Sequence, residues 1–372
     1  MSFSKFTFLG TSSGVPTKYR NVSSSCLTLG NGAVWMFDCG EGTQHQLQKA
    51  AGLSSGKIDR IFLTHLHGDH CYGLPGLLCS MGMMWRPAGA AAAEESNDSE
   101  VDEAAEPSFA PFSAGSEFLE IVGPPKTGNF IRGALGASEA WLPFRFRVTE
   151  LGEAQEPVQL HPCEAAPRFV SRNENGFFDL NDVAGIRVVA GPLDHRVTCF
   201  GYCLTEEVTA GALDVGAASA LGVPKGPMLA TLKRGQSVSL SDGTVVHPAQ
   251  VLGSATPGRK FVLLGDTCGS AGIAAAAMDA TWLVHESTFD DDSAALAIPR
   301  GHSTARMAGE FARSINAKNL LLTHFSARFL PRSKDPQFMD KIEQQAGEGS
   351  AGTCAVRAVE DFECIELVRR RK

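Results

Sequence analysis

The sequence contains no apolar run that approaches the roughly 20 residues a helix needs to cross a bilayer. Its opening segment, MSFSKFTFLGTSSG, lacks the charged, apolar and cleavage regions of a secretory signal. Ten cysteines occur, but no two form a CxxC pair, which favours buried free thiols in a reducing compartment. We therefore expect an intracellular protein with no membrane partner; the pattern leaves cytoplasm, nucleus and mitochondrion open.

Basic residues are missing from one segment of the chain. Residues 87–118 carry eight acidic side chains and no basic one. The net charge of the chain is −8, so acidic and basic residues in the remaining sequence balance at 33 each. Charge therefore neither supports nor excludes a nucleic-acid partner. Because residues 87–118 are also poor in aliphatic side chains, we predict a disordered acidic insertion there.

Several short apolar segments lead directly to side chains that can bind metal ions. The segments are RIFLT (60–64), KFVLLG (260–265), TWLV (281–284) and NLLLT (319–323), and the side chains are His65, Asp266, His285, Glu286 and His324. These runs predict buried strands, with helices between them at about 40–51, 72–80, 303–315 and 335–346. Polar and turn residues interrupt the pattern at 161–182, where we predict irregular structure. Because ligands gather at strand ends in α/β proteins, the sequence predicts a site at one rim of a sheet sandwich.

The segment Thr64-His65-Leu66-His67-Gly68-Asp69-His70 places three imidazoles and one carboxylate within six residues. The glycine permits a tight turn, so the four side chains can converge. His65 and His67 suit one metal ion, and Asp69 and His70 suit a neighbouring ion. The alternative is a polar loop with solvated histidines.

One loop cannot complete two metal sites, and the candidates for the missing ligands are His195, Asp266 and His324. Each has an ordinary alternative, since a histidine can sit in a core and an aspartate can cap a helix. Asp266 is the natural bridge because each of its oxygens can hold one ion. Two neighbouring ions lower the pKa of a shared water and stabilise negative charge on phosphorus or carbon, and Asp69 can accept the proton. The predicted chemistry is hydrolysis, and the metals alone do not name the substrate.

These residues resemble the ribonuclease Z family, the tRNA 3′ endonucleases of the metallo-β-lactamase superfamily. The HxHxDH loop is the superfamily signature, and the similar segments are FLGTSSGVPTKYRNVSS (8–24), FDCGEGTQ (37–44), His195 with Gly201-Tyr202, Gly265-Asp266-Thr267 and Thr323-His324-Phe325-Ser326. The resemblance implies an α/β fold: a four-layer αβ/βα sandwich with two mixed sheets, in a single domain spanning 1–372. It also implies that His65, His67, His195 and Asp266 bind one zinc ion, and Asp69, His70, His324 and Asp266 the other.

Two further segments resemble loops that line the active site in this family. They are His285-Glu286-Ser287-Thr288 and His302-Ser303-Thr304. Ser287 departs from the family, which usually has alanine there. The resemblance implies that Glu286, Ser303 and Thr304 belong to these loops and that His302 is the general acid. The alternative for His302 is a residue at the start of a helix, beside a capping pair.

A glycine- and proline-rich segment at 221–235 resembles the tRNA-binding arm of the family, which would span about 203–240. Its candidate RNA-binding residues are Gly222, Pro224, Lys225, Gly226, Pro227, Lys233 and Arg234. Lysine and arginine supply phosphate contacts that do not depend on base sequence. Lys18 and Arg20 form a second basic pair that can hold the acceptor end of a tRNA. An ordinary surface loop and a solvated turn are the alternatives for these two segments.

The resemblance implies a zinc-dependent endoribonuclease that removes the 3′ trailer from precursor tRNA and leaves a 3′ hydroxyl. Two zinc ions per subunit would be required, with manganese or magnesium as possible replacements, and the family generally forms homodimers. The main alternative is a small-substrate phosphodiesterase or arylsulfatase of the same fold, which would need no RNA-binding arm. An inactive RNA-binding or scaffold subunit is a further alternative, and it disagrees with the complete set of metal ligands.

Overall fold

The computed structural model describes residues 2–84, 112, 116–154, 159–183 and 185–367. Most of the predicted acidic insertion at 87–118 lies outside these described residues. Phe112, near the end of that segment, is buried with its ring centroid 4.8 Å from that of Phe144.

Two large mixed sheets carry most of the strands. Among the described residues, the first sheet has eight strands, in spatial order β19 (Cys364–Glu366), β1 (Phe3–Gly10), β3 (Ser24–Leu29), β4 (Val34–Cys39), β5 (Ile58–Phe62), β6 (Leu119–Gly123), β7 (Phe146–Leu151) and β8 (Arg168–Val170). Strands β19, β1, β3 and β4 pair antiparallel, and β4 to β8 pair in parallel.

The second sheet has seven strands within the same described ranges. They are, in spatial order, β18 (Ala355–Ala358), β16 (Asn319–Thr323), β15 (Trp282–Glu286), β14 (Lys260–Leu263), β11 (Cys199–Glu206), β10 (Ile186–Leu193) and β9 (Phe178–Val183). The run from β14 through β15 and β16 to β18 is parallel, and β9 pairs antiparallel with β10. Two short pairs are β2 (Ser12–Ser13) with β17 (Phe325–Ser326), and β12 (Val238–Ser239) with β13 (Val245–Val246).

The described residues contain ten α-helices. They are α1 (Thr43–Lys49), α2 (Gly68–Cys71), α3 (Leu74–Met84), α4 (Thr127–Ala137), α5 (Val215–Ala220), α6 (Pro227–Lys233), α7 (Ala274–Ala277), α8 (Ala294–Ala297), α9 (Ala305–Ser314) and α10 (Pro336–Gly349). Apolar side chains of α1, α3 and α4 pack on the first sheet, and those of α7, α9 and α10 pack on the second. Large aromatic side chains such as Phe37, Phe62 and Tyr202 fill the space between the sheets. The predicted four-layer sandwich with two mixed sheets is therefore confirmed.

Most of the elements predicted from apolar patterns are present with shifted ends. The strand predicted at 319–323 has those bounds, and the one predicted at 60–64 runs from 58 to 62. The helix predicted to open at Asp335-Pro336 does so, because the Asp335 carboxylate accepts a hydrogen bond from Phe338 N at 3.0 Å. The prediction of irregular structure at 161–182 is wrong in part, since β8 and most of β9 lie there as edge strands. No helix of the described segments is both long and apolar enough to span a membrane.

The chain divides into two compact units, one formed by residues 1–204 with 260–372 and the other by residues 205–259. The second unit has its own small core, built from Ala218, Val223, Leu232, Val238, Val246 and Val251. An ion pair between Glu206 and Arg259 joins the two ends of this unit, with Arg259 Nε 2.7 Å from Glu206 Oε2. The arm expected at about 203–240 overlaps this unit. Its predicted RNA-binding residues are all exposed: Gly222, Pro224, Lys225, Gly226, Pro227, Lys233 and Arg234.

Arg20, one member of the predicted RNA-binding pair near the start of the chain, has a structural role instead. Its side chain is only 2% exposed, and its guanidinium donates to Thr11 Oγ1 at 2.8 Å and to the Val359 carbonyl at 3.3 Å. The guanidinium also lies 5.0 Å from the centre of the Phe325 ring. Because the charge is enclosed by protein, Arg20 has no free face for a phosphate group. Lys18, the other member of the pair, is exposed.

We expect Arg20→Met to lower the free energy of unfolding by roughly 2–4 kcal/mol, because it leaves buried acceptors without a donor. Denaturation in urea measures this change. Lys18→Met is the matched control, and its exposed position predicts an effect within about 0.5 kcal/mol. Unchanged stability of the Arg20 variant, together with weaker RNA binding, would contradict the structural role and assign Arg20 to RNA binding.

Candidate metal centre

The side chains that can bind metal ions follow strands that end at one edge of the sandwich. His65 lies just beyond β5, His195 beyond β10, Asp266 beyond β14, and His324 between β16 and β17. His67 immediately precedes the single turn of α2, which carries Asp69 and His70. The structure therefore brings the HxHxDH loop together with the three distant residues that the sequence proposed as its partners.

Two four-residue sets of ligand atoms form at this edge, and a third group of three, Glu286, His302 and His324, adjoins them through His324. In each set the atoms lie within 4.8 Å of one another; the first set is His65, His67, His195 and Asp266, and the second is Asp69, His70, Asp266 and His324. Within the first set, His67 Nδ1 lies 3.1 Å from His65 Nε2 and 3.2 Å from His195 Nε2. Within the second, His70 Nε2 lies 3.1 Å from His324 Nε2.

Asp266 belongs to both sets and divides its oxygens between them. Its Oδ2 lies 3.7 Å from His65 Nε2 in the first set. Its Oδ1 lies 3.3 Å from both His70 Nε2 and His324 Nε2 in the second. Each oxygen therefore faces a different set, which is the arrangement a bridging carboxylate requires.

The pKa shifts of five of these side chains suit metal binding, which needs neutral imidazoles and ionised carboxylates. Burial lowers the pKa of three imidazoles below the ordinary histidine value: those of His65, His67 and His195. Burial alone would raise the pKa of Asp69 and Asp266, but the imidazoles of His324 and His70 more than offset it, so the pKa of both carboxyls is lowered. His70 differs: burial would lower its pKa, but the Asp266 and Asp38 carboxylates outweigh burial and raise that pKa well above the ordinary value, so an ion there would have to displace a proton. Imidazole nitrogen and carboxylate oxygen are ligands that zinc accepts. The residues present therefore fit a pair of divalent ions.

Asp38 orients one ligand from behind, a role that the sequence did not reveal. Its Oδ2 lies 2.8 Å from His70 Nδ1 and accepts that proton, so Nε2 is directed into the site. Its Oδ1 accepts from Thr64 N at 2.8 Å, and Thr64 Oγ1 donates to Oδ2 at 2.9 Å. Asp38 follows four apolar residues and is the last but one residue of β4. A carboxylate at the end of an apolar strand was therefore the sequence signal that could have identified it.

His302 stands beside the two sets and is held by Glu286. Its Nδ1 lies 2.9 Å from Glu286 Oε1, an atom that can only accept, so Nδ1 donates and Nε2 is free to act elsewhere. Burial lowers the pKa of His302, but the bond to the Glu286 carboxylate and its charge outweigh burial and raise that pKa above the ordinary value. Glu286 also accepts from Thr267 N at 3.1 Å and Thr288 N at 2.9 Å, which fixes the carboxylate.

Ser303 and Thr304 are the other two loop residues predicted to line the site. Their hydroxyl groups form hydrogen bonds with backbone atoms. Ser303 Oγ donates to the Thr267 carbonyl at 2.6 Å. Thr304 is the N-cap of α9 and its hydroxyl accepts from Met307 N at 3.3 Å. Both side chains therefore fix the loop that carries His302.

A protein-family model described as "Anti-Pycsar protein Apyc1" matches residues 4–88. The ribonuclease Z of Rippkaea orientalis is 36% identical over 369 residues, which cover 99% of each chain. Other bacterial proteins with the name ribonuclease Z or ribonuclease BN are 36–38% identical to this chain.

Two solved structures define the fold. The metallo-β-lactamase fold protein YhfI of Bacillus subtilis superimposes with a TM-score of 0.56 at 14% identity, covering 98% of this chain and all of that one. The short form of human tRNase Z superimposes with a TM-score of 0.62 at 28% identity, covering 98% of this chain and 100% of its own. The chain has the metallo-β-lactamase fold, and its relatives make it a metal-dependent hydrolase that cleaves phosphodiesters. Within that class, the chain belongs to the ribonuclease Z family, which includes the proteins named ribonuclease BN.

We expect Asp38→Asn to weaken metal binding by about 10–100-fold, because asparagine has one acceptor oxygen where the carboxylate has two, so Thr64 N and the His70 Nδ1 proton can no longer both be accepted. Competition with a chelating dye measures the metal affinity, and elemental analysis measures the metal content. Asp242→Asn, an exposed position in the second unit, is the control. Equal affinities of the Asp38 variant and the unchanged protein would contradict this role.

Proposed function

We propose that this chain is an endoribonuclease that cuts precursor tRNA at its 3′ end, removes the trailer and leaves a 3′ hydroxyl on the tRNA. The observation that carries the proposal is that two groups of side chains that could hold metal ions lie beside His302, in a chain that matches a ribonuclease Z over 99% of its length. The direct experiment is incubation with a precursor tRNA that carries a 3′ trailer, followed by mapping of both new ends.

Two zinc ions per subunit and a homodimer are part of the same proposal. The donor set supports zinc, because five imidazoles outnumber two carboxylates, whereas magnesium prefers oxygen ligands. Manganese or magnesium remains a possible replacement that reconstitution of the metal-free protein compares. Elemental analysis gives the number of ions per chain, and light scattering gives the number of chains per particle.

Asp69 of the HxHxDH loop is proposed to accept the proton of the attacking water. When bound, two divalent ions supply an acidified water and offset the negative charge that develops on phosphorus. Asp69 is ionised, and its Oδ2 is held by Gly14 N at 2.7 Å and lies 3.4 Å from His324 Nε2. This carboxylate is therefore oriented at the site and able to accept a proton as the water attacks.

His302 is proposed to donate the proton that the leaving 3′ oxygen of the tRNA requires. Glu286 holds Nδ1 and raises the pKa of the ring above the ordinary histidine value, which favours a second proton on Nε2. A ribose 3′ oxygen is a poor leaving group without this proton. The metal ligands and the proton donor therefore have separate tasks.

We expect His302→Ala to lower kcat for precursor tRNA by about 10²–10⁴-fold, the usual contribution of a general acid. Bis(4-nitrophenyl) phosphate separates this role from a structural one, because nitrophenolate leaves without a proton. The variant should therefore lose much less activity on this small diester and keep its metal content. Equal losses on both substrates would rule out the proton-donor role.

The unit at 205–259 is proposed to bind the tRNA. Replacing Lys225, Lys233 and Arg234 together by glutamine removes three exposed charges and leaves the core residues Val223 and Leu232 in place. We expect a higher KM for precursor tRNA, with a shallower dependence on salt, and unchanged hydrolysis of bis(4-nitrophenyl) phosphate. An equal effect on both substrates, or none on either, would favour a small-substrate phosphodiesterase or arylsulfatase.

A further inference from the structure

A basic pocket opens beside the proposed proton donor. Its volume is about 430 Å³, and His302 forms part of its wall. Three arginines line it, Arg196, Arg300 and Arg328, and all three side chains are exposed. The ligand sets and the proton donor account for the reaction without any of these arginines, so their position needs another explanation.

The three arginines differ in how far their charge is already neutralised. Arg328 has Asp290 Oδ1 at 4.0 Å and donates to Ser293 Oγ at 3.0 Å. In the part of the chain that the structure describes, no carboxylate lies within ion-pair distance of Arg196 or Arg300. Two uncompensated positive charges therefore face the same pocket, where an anion would gain from both.

The backbone fixes Arg196 and Arg300 relative to the reaction site. Each is the chain neighbour of a residue in one contact: Arg196 follows His195, Arg300 precedes Gly301, and His195 Nδ1 lies 2.7 Å from the Gly301 carbonyl oxygen. Gly301 has a φ of +75°, and a Cβ there would lie 2.8 Å from His195 Nδ1, so the close approach requires glycine. The two arginines are thus joined to a metal-site residue and, through Gly301, to His302.

The lining selects for phosphate rather than for a base. Phe289 lies between two of the arginines, with Arg300 at 5.9 Å and Arg328 at 5.6 Å from its ring centre. Because this ring is only 4% exposed, it offers no face on which a base could stack. Guanidinium groups with hydroxyl groups such as that of Ser326 are the donors that phosphate oxygens need.

We propose that Arg196 and Arg300 bind a phosphodiester group of the RNA backbone adjacent to the one that is cut. The inference rests on the proposed function, since it takes RNA as the substrate. Binding a neighbouring phosphate fixes the chain on one side of the scissile bond, so that the cut falls at one position. The contacted phosphate lies either on the tRNA side or on the trailer side, and the two are chemically alike.

The first test compares Arg196→Gln, Arg300→Gln and the double variant with Arg313→Gln, which removes an exposed charge from α9. On precursor tRNA we expect kcat/KM to fall roughly tenfold for each pocket variant, as for loss of a charged hydrogen bond. The dependence of log kcat/KM on log salt concentration should become shallower by about 0.7 per lost contact. The Arg313 variant should match the unchanged protein in both measurements.

The second test uses precursors with one neutral methylphosphonate, placed one nucleotide before or one nucleotide after the scissile phosphate. At the contacted position, the unchanged protein should cut about tenfold more slowly, and Arg196→Gln should add no further loss. The position with this result identifies the side of the contact. If Arg196→Gln reduces cleavage further at both methylphosphonate positions, the two effects are independent and the proposal is overturned.

A small diester distinguishes failure of this proposal from failure of the proposed function. Bis(4-nitrophenyl) phosphate has no neighbouring phosphate, so the arginine variants should lose far less activity on it than on precursor tRNA. Equal losses would place the arginines at the scissile phosphate and overturn the subsite alone. If the unchanged protein hydrolyses the diester but leaves the precursor uncut, trailer removal itself is overturned, and the subsite with it.

Discussion

The whole site depends on one buried carboxylate, Asp266, that faces two groups of imidazoles at once. An aspartate in this position would be unfavourable if it were isolated, because burial opposes its charge. Here the surrounding histidines reverse that effect, and each oxygen faces a different set of ligands. This constraint explains why strands that are far apart in the sequence end at the same edge. The side chains grouped around Asp266 come from residues 65–70, 195 and 324. Two divalent ions between these groups would complete the balance of charge.

The ligands are held by side chains and backbone that lie behind them. Asp38 fixes His70, Glu286 fixes His302, and the Gly301 carbonyl accepts from His195. These contacts join segments that are far apart in sequence, so the geometry of the site and the stability of the sandwich are linked. A hydrolase that must select one phosphodiester among many in an RNA chain requires this rigidity, because small displacements of a catalytic group reduce the rate strongly.

Under the proposed function, bond cleavage and substrate selection belong to different parts of the chain. Residues 1–204 and 260–372 contain the metal-ligand sets and the proposed proton donor, whereas residues 205–259 form a unit with its own core and exposed basic side chains. The proposed phosphate contact at Arg196 and Arg300 would add selection close to the reacting atoms, and the second unit would add selection through its own exposed basic side chains. Relatives with the same fold can therefore share the chemistry and differ in substrate, because the metal site alone does not distinguish an RNA from a small diester.

The sequence by itself determined the candidate ligands and the strands that lead to them, because apolar strands ending at histidine or aspartate are a local pattern. The layered fold followed from the resemblance of these motifs to a known family. The HxHxDH loop is also local, so its convergence was predictable from six residues. Only the tertiary structure decided three other points. Arg20 looks like a surface cation, yet its neighbours Val359 and Phe325 come from distant segments and bury it. Asp38 gains its role from His70, and the arginine pocket combines residues 196, 300 and 328. Burial and long-range contact depend on how the chain folds back on itself, and no local pattern encodes them.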